Sequence, residues 1–306
     1  MLFNKIKDID FERVSLIQKD TEYNGSEWSK LYLKSWEFFQ YDKLEIAFDE
    51  DIAFIRFPLG ERFSNTLKGI NHIYLPPMCK IHKVRKAINA ARAQAKSDKE
   101  TFGMIGVPQE YLDAYGEYTF EATNIEKQAE YLYNPQDLIE FKGKKYHQKR
   151  NHIAAFDKLY SYTFRAYEDD DRKAIEELLL KWENSQDKDY QENDKADEVY
   201  AIERSLDLIH DENIKSAVLF VDGKLIGFTL GEITPSNVGI VHIEKADTSY
   251  SGAYTKLVNL FAKEFLSNCR IINRQEDMGD EGIRQSKRSY RPSGYCFKYF
   301  LKEGNL

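Results

Sequence analysis

The sequence predicts an α/β protein of the α+β kind, with mixed, mostly antiparallel sheets flanked by helices and divided between two packed units. Three observations lead there. The 306 residues exceed the size at which a single core usually keeps growing. Short runs of alternating apolar and polar residues occur in both halves, so neither half is purely helical. The second half orders its segments as two helices, three strands, helix, strand, helix, strand.

Polar helices open the chain. KLEIAF and IAFIRFPLG then alternate as a strand pair, with a turn near Asp49, Glu50 and Asp51. The YLPPM run ending at Met78 stops regular structure, because proline lacks a backbone donor. A helical pattern covers Lys83 to Lys99, and TFGMIGVP follows as a short strand closed by Pro108. Residues 131–160 carry a proline near their start and a helical pattern through Ile153, Phe156 and Tyr160, and read as a bridge between a first unit, 1–130, and a second, 161–306. In the second unit Ile175, Leu178, Leu179 and Trp182 share one helix face, and Val199, Ile202, Leu206 and Ile209 another, with the polar run Glu183–Glu198 expected as a loop between them. SAVLFV and LIGFTLGEI flank Asp222-Gly223, a strong signal for a tight two-residue hairpin. GIVHIEK is a third strand. A helix carrying Leu257, Leu260, Phe261 and Phe265 comes next, then a strand around CRIINRQ, a helix from about Asp280 to Tyr290 and a last strand, YCFKYFLK.

Composition excludes several classes. With 44 basic against 51 acidic residues the net charge is −7, which argues against broad attraction to DNA or to an anionic membrane while leaving room for a local basic pocket. Cys79, Cys269 and Cys296 are odd in number and lack metal-ligand spacing, so neither a disulfide framework nor a metal site is expected. No window holds the roughly 20 apolar residues of a membrane span, and the N-terminus lacks the apolar core of a signal peptide, so a cytoplasmic location is expected.

The element order of the second half is that of a GNAT-type acyltransferase domain, and a diverged copy in the first half would make a tandem. NRQEDMGDEGIRQSKRSYRP (273–292), with KGKKYHQKRNHI (142–153) and VHIEKAD (241–247), resembles the C-terminal domain of the phosphatidylglycerol lysyltransferases and their stand-alone bacterial relatives. The resemblance implies a tandem GNAT fold and transfer of an aminoacyl group from a charged transfer RNA to an acceptor. It also implies that Asn273, Glu276, Asp277, Gly279, Arg284, Lys287 and Tyr290 match the family's late motif, and that Lys145, Arg150 and Asn151 match its bridging-helix motif.

Acyl transfer needs a proton acceptor, donors for the developing oxyanion and cations for a phosphate-bearing donor. Asp277 and Glu276, at a strand-to-helix junction, are the expected polar centre, although Asp277 and Asp280 could equally cap the helix. Arg284, Lys287, Arg288 and Arg291 are spaced as a cationic stripe that would grip a phosphate or carboxylate together with Arg150. Glu244, at the end of a central strand, is the candidate base, or a plain surface residue; His242 shares its face. The basic run Lys142, Lys144, Lys145, Lys149 and Arg150 is a ligand surface or a solvated helix face, and His147 a second proton acceptor or a surface residue. GNAT acetyltransferases bind the coenzyme A pyrophosphate through a glycine-rich turn. Here that stretch is Ser249–Tyr254, with one glycine left. The expected function is an acyl or aminoacyl transferase using aminoacyl-tRNA or acyl-CoA as donor and a small or lipid-like acceptor, and the sequence assigns no certain cofactor. The alternatives are a coenzyme-A-dependent N-acetyltransferase and a non-catalytic module binding an anionic ligand or RNA.

Overall fold

In a computed structural model, which describes residues 1–36, 41–60, 67–185 and 192–304, the strands run in chain order β1 (Asn4–Lys5), β2 (Glu45–Asp49), β3 (Ile52–Pro58), β4 (His72–Tyr74), β5 (Gly103–Pro108), β6 (Phe120–Asn124) and β7 (Glu130–Tyr133), then β8 (Tyr162–Ala166), β9 (Ile214–Val221), β10 (Lys224–Ile233), β11 (Val238–Ala246), β12 (Ile271–Asn273), β13 (Gly294–Cys296) and β14 (Lys298–Glu303). They form two seven-stranded sheets, ordered β1-β2-β3-β4-β5-β14-β6 and β8-β9-β10-β11-β12-β7-β13. Both have the same plan. Four antiparallel strands lead to one parallel pair, β4 with β5 and β11 with β12, and two further antiparallel strands close the edge. This is the expected tandem GNAT-like arrangement.

One difference from the expected layout concerns chain ends rather than fold class. The strand inserted beside the last edge of each sheet comes from the other half: β14 pairs with β5 and β6, and β7 pairs with β12 and β13. So residues 131–133, read from sequence as part of a bridge, are a central strand of the second sheet. The expected last strand YCFKYFLK splits at Phe297, with one piece in each sheet.

Local chemistry explains most elements. Glu50 turns the β2–β3 hairpin at φ 53°, and Asp222 and Gly223 turn β9 into β10 at φ 49° and 77°, as a tight two-residue turn requires. Helix Val84–Ser97 buries Val84, Ala87, Ile88, Ala91 and Ala95, spaced along one face. Asn134 caps helix Pro135–Glu140, and Asp280 caps helix Glu281–Ser289. The polar run after Glu183 is not wholly a loop: helix Glu192–Asp207 begins inside it, while residues 186–191 of that run lie outside the described residues. The second sheet buries both faces. One packs Phe228 and Leu230 against Ile175, Leu178, Ile202 and Leu206; the other packs Val241 against Val258 and Phe261 of helix Ala253–Glu264. Leu31, from helix Lys30–Ser35 of the first half, belongs to that first core, so the halves share apolar packing as well as strands. No helix among the described residues is long and apolar enough to cross a membrane.

Candidate functional site

The site begins where the parallel pair opens. β11 and β12 pair only from Val238–Ile271 to Ile240–Asn273. β11 continues to Ala246, whereas the chain after Asn273 turns away through the polar run Asn273–Asp277, with Gln275 at φ 52° and Met278 at φ 53°. Such positive φ angles are uncommon in residues with a side chain and need local bonds to hold them. Asn273 Oδ1 accepts the Gln275 amide at 2.7 Å, and Asp277 Oδ1 accepts the Gly279 amide at 2.8 Å. Lys287 reaches back from the following helix and donates to the carbonyls of Arg274, at 2.6 Å, and of Glu276.

Behind this turn lies a buried ionic cluster that joins the halves. Lys298 of β14 is 1 % exposed; it donates to both carboxylate oxygens of Glu27 and lies 3.1 Å from Glu130 of β7. Tyr23 donates to Glu27 at 2.5 Å, Ser26 to Glu130, and the Asn273 amide to Glu130 at 2.8 Å. Gly25 makes room for this cluster, since a Cβ there would stand 2.3 Å from a Glu27 carboxylate oxygen and 2.5 Å from Lys298 Nζ.

Glu276 is half-buried beside the cluster. Burial, reinforced by the Glu130 charge and opposed by Lys287, pushes its carboxyl up to about 7. Among the described residues it is the one acid of the late motif whose side chain pairs with no other residue, its only partner being its own backbone amide. Burial also holds Lys287 down to about 8, Glu276 opposing the shift and Arg274 adding to it. The Glu276 charge raises the Tyr32 phenol, already shifted upward by burial, and the Tyr32 ring stacks on His242 at 6.1 Å between centroids. Burial keeps His242 neutral, lowering it to about 3, while its Nε2 lies 3.1 Å from Ser29 Oγ. Glu244 accepts from Arg274 Nε at 3.1 Å and Nη2 at 2.5 Å, and the guanidinium lies 4.5 Å from the Tyr290 ring centroid. Four buried polar atoms among the described residues have no hydrogen-bond partner: Asn24 Oδ1, His242 Nδ1, Arg274 Nη1 and Gln275 Nε2. All four belong to this region; the Gln275 side chain faces His242, Asn24 Oδ1 is an acceptor, and Arg274 Nη1 is an unmet donor, which is costly in a buried place.

Of the residues expected from sequence, the structure brings Asn273, Glu276, Asp277, Arg284, Lys287, Tyr290 and Glu244 together, with Asp277 and Glu244 each tied to an arginine. Asp277 accepts from Tyr131 at 2.6 Å and from Arg284 Nε at 2.9 Å as well as from Gly279. Burial opposes its charge, but those bonds outweigh burial and hold its carboxyl below the ordinary range. Asp277 therefore clamps the turn and has little capacity left to take a proton. Glu244 is likewise committed to Arg274. The expected cationic stripe divides: Arg284 pairs with Asp277 and Glu281, Lys287 points inward, and Arg288 and Arg291 are exposed. Arg150 donates to the carbonyls of Phe141 and Gly143, at 2.5 and 2.7 Å, closing the turn before its own helix. Lys145, His147 and Asn151 are exposed, and Asn151 and His147 contact each other along that helix. Glu27, Glu130, Lys298 and Arg274 were not singled out from sequence, and Lys149 was read only as one member of the basic run. Arg274 at least had a signal, standing in a five-residue polar run directly after the apolar Ile271-Ile272.

The glycine of the eroded phosphate turn has become a packing contact. Gly252 sits at φ 86° before helix Ala253–Glu264, and a Cβ there would stand 2.6 Å from the His152 carbonyl oxygen. Helix His147–Leu159 thus covers the amide end where an acetyltransferase would cradle pyrophosphate. In the same turn Asp247 accepts from Ser249 and forms an ion pair with Lys181.

Known proteins share the family and the fold. The family model described as "Phosphatidylglycerol lysyltransferase, C-terminal" matches residues 48–302. An uncharacterised protein of Mycoplasmoides gallisepticum is 28 % identical over 180 residues, a match covering 58 % of this chain and 57 % of that protein. A conserved protein of unknown function from Bacteroides thetaiotaomicron superposes with a TM-score of 0.81 at 28 % identity, covering 98 % of each chain. The C-terminal domain of a putative lysylphosphatidylglycerol synthetase from Agrobacterium fabrum shares the fold with a TM-score of 0.66 at 13 % identity, over 97 % of this chain and 92 % of that one.

Proposed function

The chain belongs to the phosphatidylglycerol lysyltransferase C-terminal family, and from that membership we propose that it transfers an aminoacyl group from a charged transfer RNA to an amine or hydroxyl acceptor, with Glu276 as the general base. The observation that carries this reading is the Glu276 carboxyl. It is half-buried, pairs with no other residue among the described ones and titrates near 7, where a group can both take and return a proton at neutral pH. Asp277, Asn273 and Lys287 hold the turn that presents it.

In the reaction the acceptor's nitrogen or oxygen attacks the ester carbonyl carbon of the donor and passes its proton to Glu276. The new bond to that carbon forms as its bond to the ribose oxygen breaks. Glu276 then returns the proton to the departing ribose hydroxyl, so the carboxylate is regenerated. The covered helix end at Gly252 favours this donor over coenzyme A, because a pyrophosphate would meet the His152 carbonyl there.

The test is transfer of labelled aminoacyl groups from a charged transfer RNA mixture to lipid vesicles, peptides and small amines. Replacing Glu276 with Gln should lower the rate about 10²- to 10⁴-fold, and the wild-type rate should rise with pH through a midpoint near 7. Full activity in E276Q would remove Glu276 from the chemistry. Failure of the wild type to discharge transfer RNA to any acceptor class would sink the transferase reading.

A further inference from the structure

A second group of side chains lies beside Glu276 and is used by none of the steps above. Lys149, from helix His147–Leu159, places its Nζ 3.4 Å from the Tyr290 ring centroid, and the Arg274 guanidinium carbon lies 4.5 Å from the same centroid. Tyr146, three residues before Lys149, donates to the Tyr290 carbonyl at 3.1 Å and ties the helix to this spot. Arg274 is 6 % exposed. Glu244 occupies its Nε and Nη2, while Nη1 is buried without a partner.

Lys149 is half-buried, and no carboxylate pairs with it among the described residues. The more deeply buried lysines each have one: Lys245 pairs with Glu198, Lys256 with Asp157 and Lys298 with Glu27. Burial and the Arg274 charge hold the Lys149 ammonium down to about 8. Two desolvated cations contact one aromatic ring and only Arg274 has a carboxylate partner, which leaves an excess of positive charge and an unmet donor. An oxyanion would satisfy both.

We propose that Lys149 and Arg274 form a phosphate-binding subsite at the open end of the β11–β12 cleft, gripping one phosphate through the Lys149 ammonium and Arg274 Nη1. The cation pair stands on its own geometry. That the phosphate is the backbone diester near the 3′ end of the donor rests on the aminoacyl-transfer reading; a free phosphate or phosphomonoester is the other source.

Calorimetric titration with the dinucleotide cytidylyl-adenosine, and separately with inorganic phosphate, tests both points. At constant ionic strength K149M should weaken binding about ten- to a hundredfold, the loss of one charge-assisted bond, while K149R restores most of it. Lys149-dependent binding of the dinucleotide assigns the site to the donor; Lys149-dependent binding of inorganic phosphate alone assigns it to a small phosphorylated ligand. Binding of neither probe, or equal binding by wild type and K149M, overturns the subsite. In the wild type, either bound probe should also slow acylation of Lys149 by an amine-reactive reagent about tenfold, read by peptide mass spectrometry, which keeps the test valid should K149M fold poorly. An unchanged labelling rate at saturation would count against the proposal. A wild type that binds phosphate through Lys149 but never discharges transfer RNA would refute the function and leave the subsite standing.

Discussion

Replacing Lys298 with Met tests how the two halves are held together. Lys298 is 1 % exposed, Glu130 1 % and Glu27 8 %, so the ammonium and both carboxylates are out of water. Methionine keeps the length of the side chain and removes its charge. Taking one partner from a buried ionic group costs about 3–5 kcal/mol, because the remaining charge stays desolvated. Tyr23, Ser26 and Asn273 still donate to the two acids, which keeps the expected loss within that range rather than doubling it. The pH dependence has a definite sign. Burial already raises Glu27 above its ordinary value of 4.5, the Glu130 charge raises it further, and Lys298 pulls it back. Without Lys298 the folded-state value rises again, so the penalty is small at low pH, where the carboxyl is protonated, and grows as pH climbs above 4.5 and the unfolded chain ionises first. Urea unfolding of wild type and K298M at pH 5 and pH 8 measures both quantities. A deficit near 4 kcal/mol at pH 8 that shrinks at pH 5 is expected; a deficit below about 1 kcal/mol, or one equal at both pH values, would refute the cluster as a desolvated charge group.

Two further outcomes follow from the turn and from the covered helix end. Asp277→Ala should lower stability by about 2 kcal/mol, through the lost Gly279 cap and the unpaired Arg284, and should slow transfer as the turn loosens; thermal unfolding separates the two effects, since an inactive variant with wild-type stability would return Asp277 to the chemistry itself. Acetyl-CoA at millimolar concentration should leave the melting temperature unchanged, because a ligand stabilises only what it binds, and a rise of several degrees would mean that helix His147–Leu159 moves off Gly252.

Much of the second half was legible in the sequence. Asp222-Gly223 admits few conformations between two apolar strands, and the alternation in SAVLFV and GIVHIEK sets their faces. The late motif was found through the resemblance of residues 273–292 to its family. Roles within it were not legible. Asp277 and Glu276 are neighbours of similar chemistry, and only the positions of Tyr131, Arg284 and Gly279 decide that the first is clamped and the second free. Arg150 had the composition of a ligand group yet satisfies carbonyls nine and seven residues behind it, a bond that depends on the left-handed conformation of Phe141. Glu27, Glu130 and Lys298 are separated by more than a hundred residues in each interval, so no periodicity or spacing could join them.

The exchange of β7 and β14 also sets an order on synthesis. The first sheet holds a place between β5 and β6 that only residues 298–303 fill. A ribosome will therefore have finished nearly all of the second half before the first can close, and until then β5 and β6 present open strand edges to the cell. The interior of the second sheet waits less, because β7 has already emerged when β12 arrives, and only its edge strand β13 comes as late as residues 294–296. Folding should accordingly complete the later half first, and a nascent chain stalled before Lys298 should be the species that chaperones hold.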